Sequence, residues 1–228
     1  MPRLLDLFCG GGGAAEGYIR AGFTVIGVDK EERHRTCYPS PFVCQDAFAY
    51  LLTHHHEFDV VHASPPCQGY STAVTSFKDG AGIDTPKLIP RLRDILRRLN
   101  KPYIIENVTG AREELEHPIV LCGSMFGLHI TRHRYFETSH AVPQPAHPPC
   151  LGRTAAFARA MGWSMRECYI GGHGQNAGIG DKWKLLLDVR HHMTLRELSE
   201  SIPPAYTEYI GSHFIRMFQP LPSFFKTK

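Results

Sequence analysis

The chain has 228 residues, 43% hydrophobic and 21% charged, with Lys+Arg 25 against Asp+Glu 22 for a formal net charge of +3. That supplies a buried core with one appendage, and it excludes wholesale disorder and a histone-like polycation. No apolar run approaches the ~18 residues that span a bilayer, and Asp6 stands where a secretory leader is apolar. Seven irregularly spaced cysteines suit reduced thiols better than a disulfide framework, so a cytoplasmic setting is expected. Fourteen histidines make any affinity for a polyanion pH-sensitive.

Arg3 to Phe8 is a short apolar run that ends in Cys9-Gly10-Gly11-Gly12-Gly13 and passes into the helix-compatible Ala14 to Ala21. Further strand-like runs are Thr24 to Val28, ending in Asp29, and Phe42 to Cys44, ending at Asp46. Phe58 to Ala63 follows the surface turn His54-His55-His56 and runs into Ser64-Pro65-Pro66-Cys67. Pro86 to Leu99 carries Leu88, Ile89, Leu92, Ile95, Leu96 and Leu99 at the 3.6-residue period of a helix. Tyr103 to Val108 reads as a fifth strand, with Glu106 and Asn107 at its end. Strands alternating with helices predict an α/β fold, a mostly parallel sheet flanked by helices with its chemistry at the C-terminal strand ends. After Tyr135 the chain changes: His140 to Pro149 is proline-rich, Cys168 to Asp181 glycine-rich, and Met193 to Gln219 helical with a break at Pro203-Pro204. There is no internal repeat.

Four constellations carry chemistry. Gly10 to Gly13, between strand and helix, lets a ligand approach the backbone and aims N–H groups at an anion. The turn lacks Gly-Lys-Ser/Thr and misses the G-x-G-x-x-G spacing. Asp29, about 20 residues on, stands where an acid bonds ribose hydroxyls; the alternative is merely a tight turn. Pro65-Pro66 fix the backbone so that Cys67 leaves the sheet at its functional edge, either as an activated thiol or as a buried structural one. Glu106, at the end of a buried strand, is costly unless paired, and desolvation would keep it protonated near neutrality. Arg132 and Arg134, two residues apart, would share one face of a strand, or form an exposed basic face.

Taken in order, Asp6-Leu7-Phe8-Cys9-Gly10-Gly11-Gly12, Pro66-Cys67-Gln68, Glu106-Asn107-Val108 and Arg132-His133-Arg134 resemble the motifs of the C5-cytosine DNA methyltransferases. The resemblance runs from about Arg3 to Tyr135 and returns weakly near Met193. It implies a Rossmann-like, S-adenosylmethionine-dependent fold with 1–135 as catalytic and cofactor-binding domain. By the same resemblance 136–192 is a small target-recognition segment and 193–228 a helical segment packing back. The implied catalytic set is Cys67 attacking C6 of cytosine, Glu106 protonating N3, Arg134 near O2 and Arg132 on backbone phosphate. S-adenosylmethionine would lie over the strand ends and leave as S-adenosylhomocysteine. Phe8 would sit near the adenine, Gly10 and Gly12 at the amino-acid part, Asp29 at the ribose and Asp46 at the adenine amino group. Pro66, Cys9, Lys30, Ala47 and Ser201 would complete that pocket. The implied partner is DNA with its target cytosine flipped out or single-stranded; no membrane, no metal and no obligate protein partner are expected, and the chain is expected to act as a monomer and a stand-alone modifier.

The chain also departs from the family pattern. Ile130 replaces the glutamine two positions before the first arginine, and Ser199-Glu200-Ser201-Ile202-Pro203-Pro204 replaces Gly-Asn-Ala-Val and its prolines. Glu200 thereby adds a negative charge near the expected cofactor, which bears on affinity and on the choice of sulfonium donor. Met193-Thr194-Leu195-Arg196-Glu197 resembles the penultimate motif with its usual following loop nearly deleted. Within the recognition segment, Arg153, Arg159, Arg166, Lys182, Lys184 and Arg190 are candidate phosphate contacts, or simply solvated charges, and Gln175 and Asn176 candidates for base edges. His147, Cys150, Cys168 and His173 could hold zinc, but no CxxC pair supports it. The rivals are a tRNA cytosine-C5 methyltransferase, a catalytically inactive DNA-binding homologue and, more remotely, a dinucleotide-dependent oxidoreductase.

Overall fold

A computed structural model describes residues 1–67, 70, 87–150, 153–170 and 178–219. Gln68, His173, Gln175, Asn176 and the side chain of Arg153 lie outside the described residues. In chain order the sheet and its first helices are β1 (Arg3–Leu7), α1 (Gly13–Arg20), β2 (Thr24–Asp29), β3 (Phe42–Cys44), α2 (Ala47–His54), β4 (Val60–Ala63), α3 (Ile89–Arg98) and β5 (Tyr103–Asn107). There follow β6 (Ile119–Leu121), β7 (Arg134–Thr138), α4 (Arg153–Met161), α5 (Met165–Cys168), α6 (Ile179–Leu187), α7 (Leu195–Glu200) and α8 (Pro204–Phe214). The strands form one sheet in the order β3-β2-β1-β4-β5-β7-β6. Neighbours from β3 to β5 are parallel, and β7 runs antiparallel between β5 and β6.

Largely apolar runs form the central strands because both faces are covered. Leu4, Val25, Val60 and Ile104 face one core with Tyr18, Tyr206 and Phe214, whereas Leu5, Leu7, Val61 and Ile105 face another with Leu51, Leu92 and Leu96. Helix α8 returns to pack on α1, where the Thr207 hydroxyl donates to the Ala14 carbonyl at 2.8 Å. Pro204 begins α8 in the first turn, where a proline has no helical N–H bond to lose. A third core, around Trp183, Leu186 and Leu187, joins α4–α6 to Ile130, Met193 and Leu198.

Two expectations are corrected and one element is added. The boundary at 135 falls inside β7, so the sheet continues to Thr138. That strand is held to α3 by a buried Arg93–Glu137 pair, Nε to Oε1 2.7 Å and Nη2 to Oε2 2.6 Å. Arg132 and Arg134 do not share a strand face, because β7 begins at Arg134. Asp46 starts a helix the sequence reading did not find, its Oδ1 accepting the Ala49 N–H at 2.9 Å. Among the described residues no helix is long and apolar enough to cross a membrane.

Candidate active site

The turn from β1 into α1 is built by left-handed residues: Phe8 at φ 56°, Gly10 at 49° and Gly12 at 88°. A Cβ on Gly12 would lie 2.3 Å from Pro39 Cδ, so only glycine fits, whereas the same atom on Gly10 would meet nothing within 4 Å. Asp29 accepts the Gly10 N–H at 3.1 Å and the Glu31 N–H at 3.0 Å, fixing the loop to the end of β2. His191 spans from the Gly11 carbonyl (2.9 Å) to Glu16 on α1. Beneath the loop, Asp6 accepts the Tyr38 hydroxyl at 2.9 Å through Oδ2, and its buried Oδ1 has no partner. Burial pushes the Asp6 carboxyl up to about 7, with Asp29 adding to the shift and the Tyr38 bond opposing it.

This loop floors one end of an open cleft of about 470 Å³ that runs across the C-terminal strand ends. At its other end Asn107 organises the nucleophile loop. Its Nδ2 donates to the Pro65 carbonyl at 2.9 Å and its Oδ1 accepts the Val108 N–H at 3.0 Å, pinning the segment that carries Cys67 against the end of β5. Glu106 points into the cleft with Arg134 Nε 3.1 Å from its Oε1. Burial raises the Glu106 carboxyl, outweighing the opposing pull of Arg134, the Ser64 hydroxyl and Arg132. The Cys67 thiol is raised too, by burial and then by the Glu106 charge, which Arg134 only partly offsets.

Phe8, Cys9, Gly10 and Gly12 line the loop end of this cleft, with Asp29, Lys30, Asp46 and Ala47 along the edge of β2, β3 and α2. Pro66 and Ser201 close it, and Cys67, Glu106 and Arg134 converge at the far end. Arg132 is the exception. It is buried, donates through Nη2 to the Ser199 carbonyl at 2.7 Å, and has its own carbonyl held by the Tyr206 hydroxyl at 2.6 Å. Burial, then the neighbouring charge of Arg134, pushes its guanidinium down to about 9, so it stays protonated at neutral pH as an internal brace.

Residues beyond the sequence-derived set join the wall, notably Asp6, Arg33, Arg196 and Glu197. Asp6 stood in the first motif, but its orphaned oxygen depends on Tyr38, thirty-two residues away. The charge of Glu200 is offset locally, with Arg196 Nε at 3.4 Å and Arg33 Nη2 at 3.8 Å.

The sheet order with one antiparallel strand, and the cleft at the glycine turn, define an S-adenosylmethionine-dependent methyltransferase fold. It superposes on a prophage-encoded DNA modification methyltransferase from E. coli (TM-score 0.62, 16% identity), covering 96% of this chain and 99% of that one. The Entamoeba histolytica methyltransferase EhMeth (0.62, 14%) and the S. pombe Dnmt2 methyltransferase (0.59, 12%) are covered to the same extent. At these identities the likeness concerns the fold. The C-5 cytosine-specific DNA methylase family matches residues 2–121, just over half of the chain. The chain belongs to that family. The Type II methyltransferase M.AgeI of Thalassovita gelatinovora is 29% identical over 122 residues, a stretch that spans 47% of this chain and 28% of that protein.

Proposed function

We propose that the protein is a DNA cytosine-C5 methyltransferase that uses S-adenosylmethionine. The observation that carries this reading is the convergence of Cys67, Glu106 and Arg134, from three separate elements, at one end of a cleft whose other end is a glycine turn. Two features fit the cofactor. The buried, unpartnered Asp6 Oδ1 can accept from the ammonium of an amino-acid moiety, and the open side of Gly10 leaves room for close approach. Asp29 and Lys30 would serve the ribose side, Phe8, Asp46 and Ala47 the adenine, Gly10 and Gly12 the amino-acid part, and Cys9, Pro66 and Ser201 the remaining walls. When bound, S-adenosylmethionine supplies an electrophilic methyl group.

C5 of cytosine is a poor nucleophile, and the chain's residues address that. Cys67, as thiolate, adds to C6 and pushes electron density onto C5. Glu106, whose carboxyl burial raises towards the protonated form, donates a proton to N3, so the ring never carries full negative charge. Arg134 holds Glu106 in place and lies beside the base near O2. Once C5 is methylated, water takes the C5 proton, the C6–S bond breaks to release Cys67 as thiolate, and N3 returns its proton to Glu106, which restores the ring. Such a base is out of reach inside a duplex and has to be flipped out. The segment formed by α4–α6 serves target recognition in this reading. Arg159, Arg166 and Lys184 are its phosphate contacts, whereas Lys182 is engaged by Glu167. The enzyme would act as a monomer in the cytoplasm.

The test is covalent trapping. With S-adenosylmethionine and an oligonucleotide carrying 5-fluorocytosine, wild type should form an adduct that survives denaturing electrophoresis and Cys67→Ser should not. Glu106→Gln should lose most turnover while still binding cofactor. Absence of an adduct on duplex DNA, single-stranded DNA and tRNA alike refutes the enzymatic reading; an adduct on tRNA alone moves the substrate from DNA to RNA.

A further inference from the structure

Beyond the cleft, one cluster has the composition and spacing of a metal centre. Cys122 follows β6 directly and His133 precedes β7 directly. The antiparallel register pairs Ile119 with Phe136, Val120 with Tyr135 and Leu121 with Arg134, so Cys122 and His133 stand at the next opposed position. Cross-strand neighbours there project to the same side. The other two members come from the proline-rich stretch, where His147-Pro148-Pro149-Cys150 places a His and a Cys at either end of a conformationally stiff pair. That stretch is registered on the sheet edge by Gln144, which accepts the Val120 N–H at 2.9 Å and donates to the Val120 carbonyl at 2.8 Å.

We propose that Cys122, His133, His147 and Cys150 form a structural zinc site, one Zn²⁺ held tetrahedrally by two thiolates and two imidazoles. The four ligand atoms all lie within 4.8 Å of one another. Cys122 Sγ is 3.5 Å from Cys150 Sγ, and Cys150 Sγ is 3.1 Å from His147 Nε2 and 3.8 Å from His133 Nε2. Bonds of about 2.3 Å to sulfur and about 2.0 Å to nitrogen, at tetrahedral angles, place ligand atoms roughly 3.3–3.8 Å apart. A Cys₂His₂ donor set at those separations suits Zn²⁺ better than the harder divalent ions. On binding, the two thiols lose their protons to solvent and the centre is electrically neutral. Four protein ligands leave no open position, so the site is structural, not catalytic.

The sequence alone predicts no metal and groups His147 and Cys150 only with Cys168 and His173. Cys168 is instead buried in the α4–α6 core, and His173 lies outside the described residues. Cys122 and His133 take their places because strand register, not sequence spacing, brings them together. A second titratable cluster, the trio His34, Cys37 and Glu197, carries no such proposal, because Glu197 already accepts from the Thr194 N–H and hydroxyl and faces His34 and Arg33. Since His133 lies between Arg132 and Arg134, a metal here would brace the entry to β7.

The experiment uses the full chain, expressed in zinc-supplemented medium and analysed for bound metal, then chelator-stripped under reducing conditions and titrated with Co²⁺. Expected are one zinc per chain and, on titration, the intense visible ligand-field bands and sulfur-to-metal charge transfer of tetrahedral thiolate-bound cobalt. Cys150→Ser should weaken the charge-transfer band by removing one of the two thiolates, and Cys44→Ser, at the exposed end of β3, should leave it unchanged. His147 is exposed, so His147→Asn should keep the circular dichroism of the wild type. That variant should still lose more cobalt affinity than the roughly 10–100-fold typical of an outer-shell partner. Metal-free protein with no tetrahedral cobalt spectrum overturns the proposal. So does a Cys122–Cys150 disulfide in protein isolated without reductant, or cobalt affinity unaltered in folded His147→Asn.

Discussion

Gly17 lies in the interior of α1, where helix propensity alone says that alanine should stabilise by about 1 kcal/mol. The packing of α8 reverses that sign. A Cβ on Gly17 would sit 2.1 Å from the Pro204 carbonyl oxygen, 2.1 Å from Thr207 Oγ1 and 2.7 Å from the Glu208 nitrogen. Two of those three atoms are backbone, so no rotamer change relieves them and the two helices must separate. Overpacking of this kind costs typically ~1–3 kcal/mol; the two backbone clashes put Gly17→Ala at the upper end, and after the propensity gain is subtracted the expected net loss is about 2 kcal/mol. For a chain of this size each kcal/mol moves Tm by roughly 2–4 °C, so the variant should melt about 4–8 °C lower. Gly180→Ala is the matched control. Its Cβ would make an ordinary 3.5 Å contact with Leu195 Cδ2, so propensity prevails and Tm should rise by about 1–4 °C. Scanning calorimetry of the three proteins reads both signs. The reasoning is refuted if Gly17→Ala gains stability alongside Gly180→Ala, for then α8 does not approach α1 as described, and Ser201 and Ile202 would not reach the cleft beside Gly13.

Alkylation of Cys67 by iodoacetamide should accelerate with pH through an apparent pKa above the ordinary thiol value, and Glu106→Gln should lower that midpoint by removing a neighbouring negative charge; a midpoint unmoved by the substitution would disconnect the two groups. Acid stability should show a plateau and then a fall. Burial holds His62 down to about 3, so stability drains as pH falls from about 6.5, while Asp6, raised to about 7, takes up a proton in the folded state and offsets that loss. Below about 4.5 Glu16 and Glu197 dominate: burial raises both, but their hydrogen bonds more than compensate and hold each near 2, so their stabilisation is lost as pH falls towards 2. Urea midpoints against pH should therefore drop steeply only below about 4.5 in the wild type, and from about 6.5 downwards in Asp6→Asn; identical profiles would refute the offset. Affinity for duplex DNA should fall steeply with added salt as phosphate contacts surrender their counterion release, and a flat response in a filter-binding titration would argue against Arg159, Arg166 and Lys184 as phosphate contacts.

The central strands were legible because burial on both faces leaves a mostly apolar run, as at Leu4–Leu7 and Val60–Ala63, each interrupted only by one buried titratable residue, Asp6 and His62. Strand β7 was not, since it opens on Arg134 and buries Glu137, a charge tolerable there only because Arg93, forty-four positions earlier, forms a two-point pair with it. The site divides in the same way. Cys67, Glu106 and Arg134 occupy strand ends, where local pattern and topology agree. Arg132 was misread because alternation of faces holds only within a strand, and its partner, the Ser199 carbonyl, comes from a segment sixty-seven residues on. Burial of Asp6 beneath Tyr38, and the meeting of Cys122 and His133 with the His147–Cys150 segment, are likewise products of tertiary structure that no spacing announces.

The contact of Arg132 with Ser199 falls on α7, a helix of six residues that also carries Glu197. Its Glu197 closes its own N-terminus through Thr194, faces His34 on the cofactor side, and has its Cβ only 2.8 Å from where a side chain on Gly11 would begin. Two residues on, its Ser199 carbonyl receives Arg132, whose backbone leads directly into the Arg134 that faces Glu106. One short helix thus touches both the loop that would hold the cofactor and the segment leading into the strand that opens on Arg134. A shift of α7 large enough to disturb Gly11 would also pull on Arg132, so the two ends of the cleft are mechanically linked through a segment that contributes neither the nucleophile nor the acid. In this geometry the C-terminal return of the chain is part of the active site's construction, and substitutions at Glu197 or Ser199 should be felt at Cys67 without touching it.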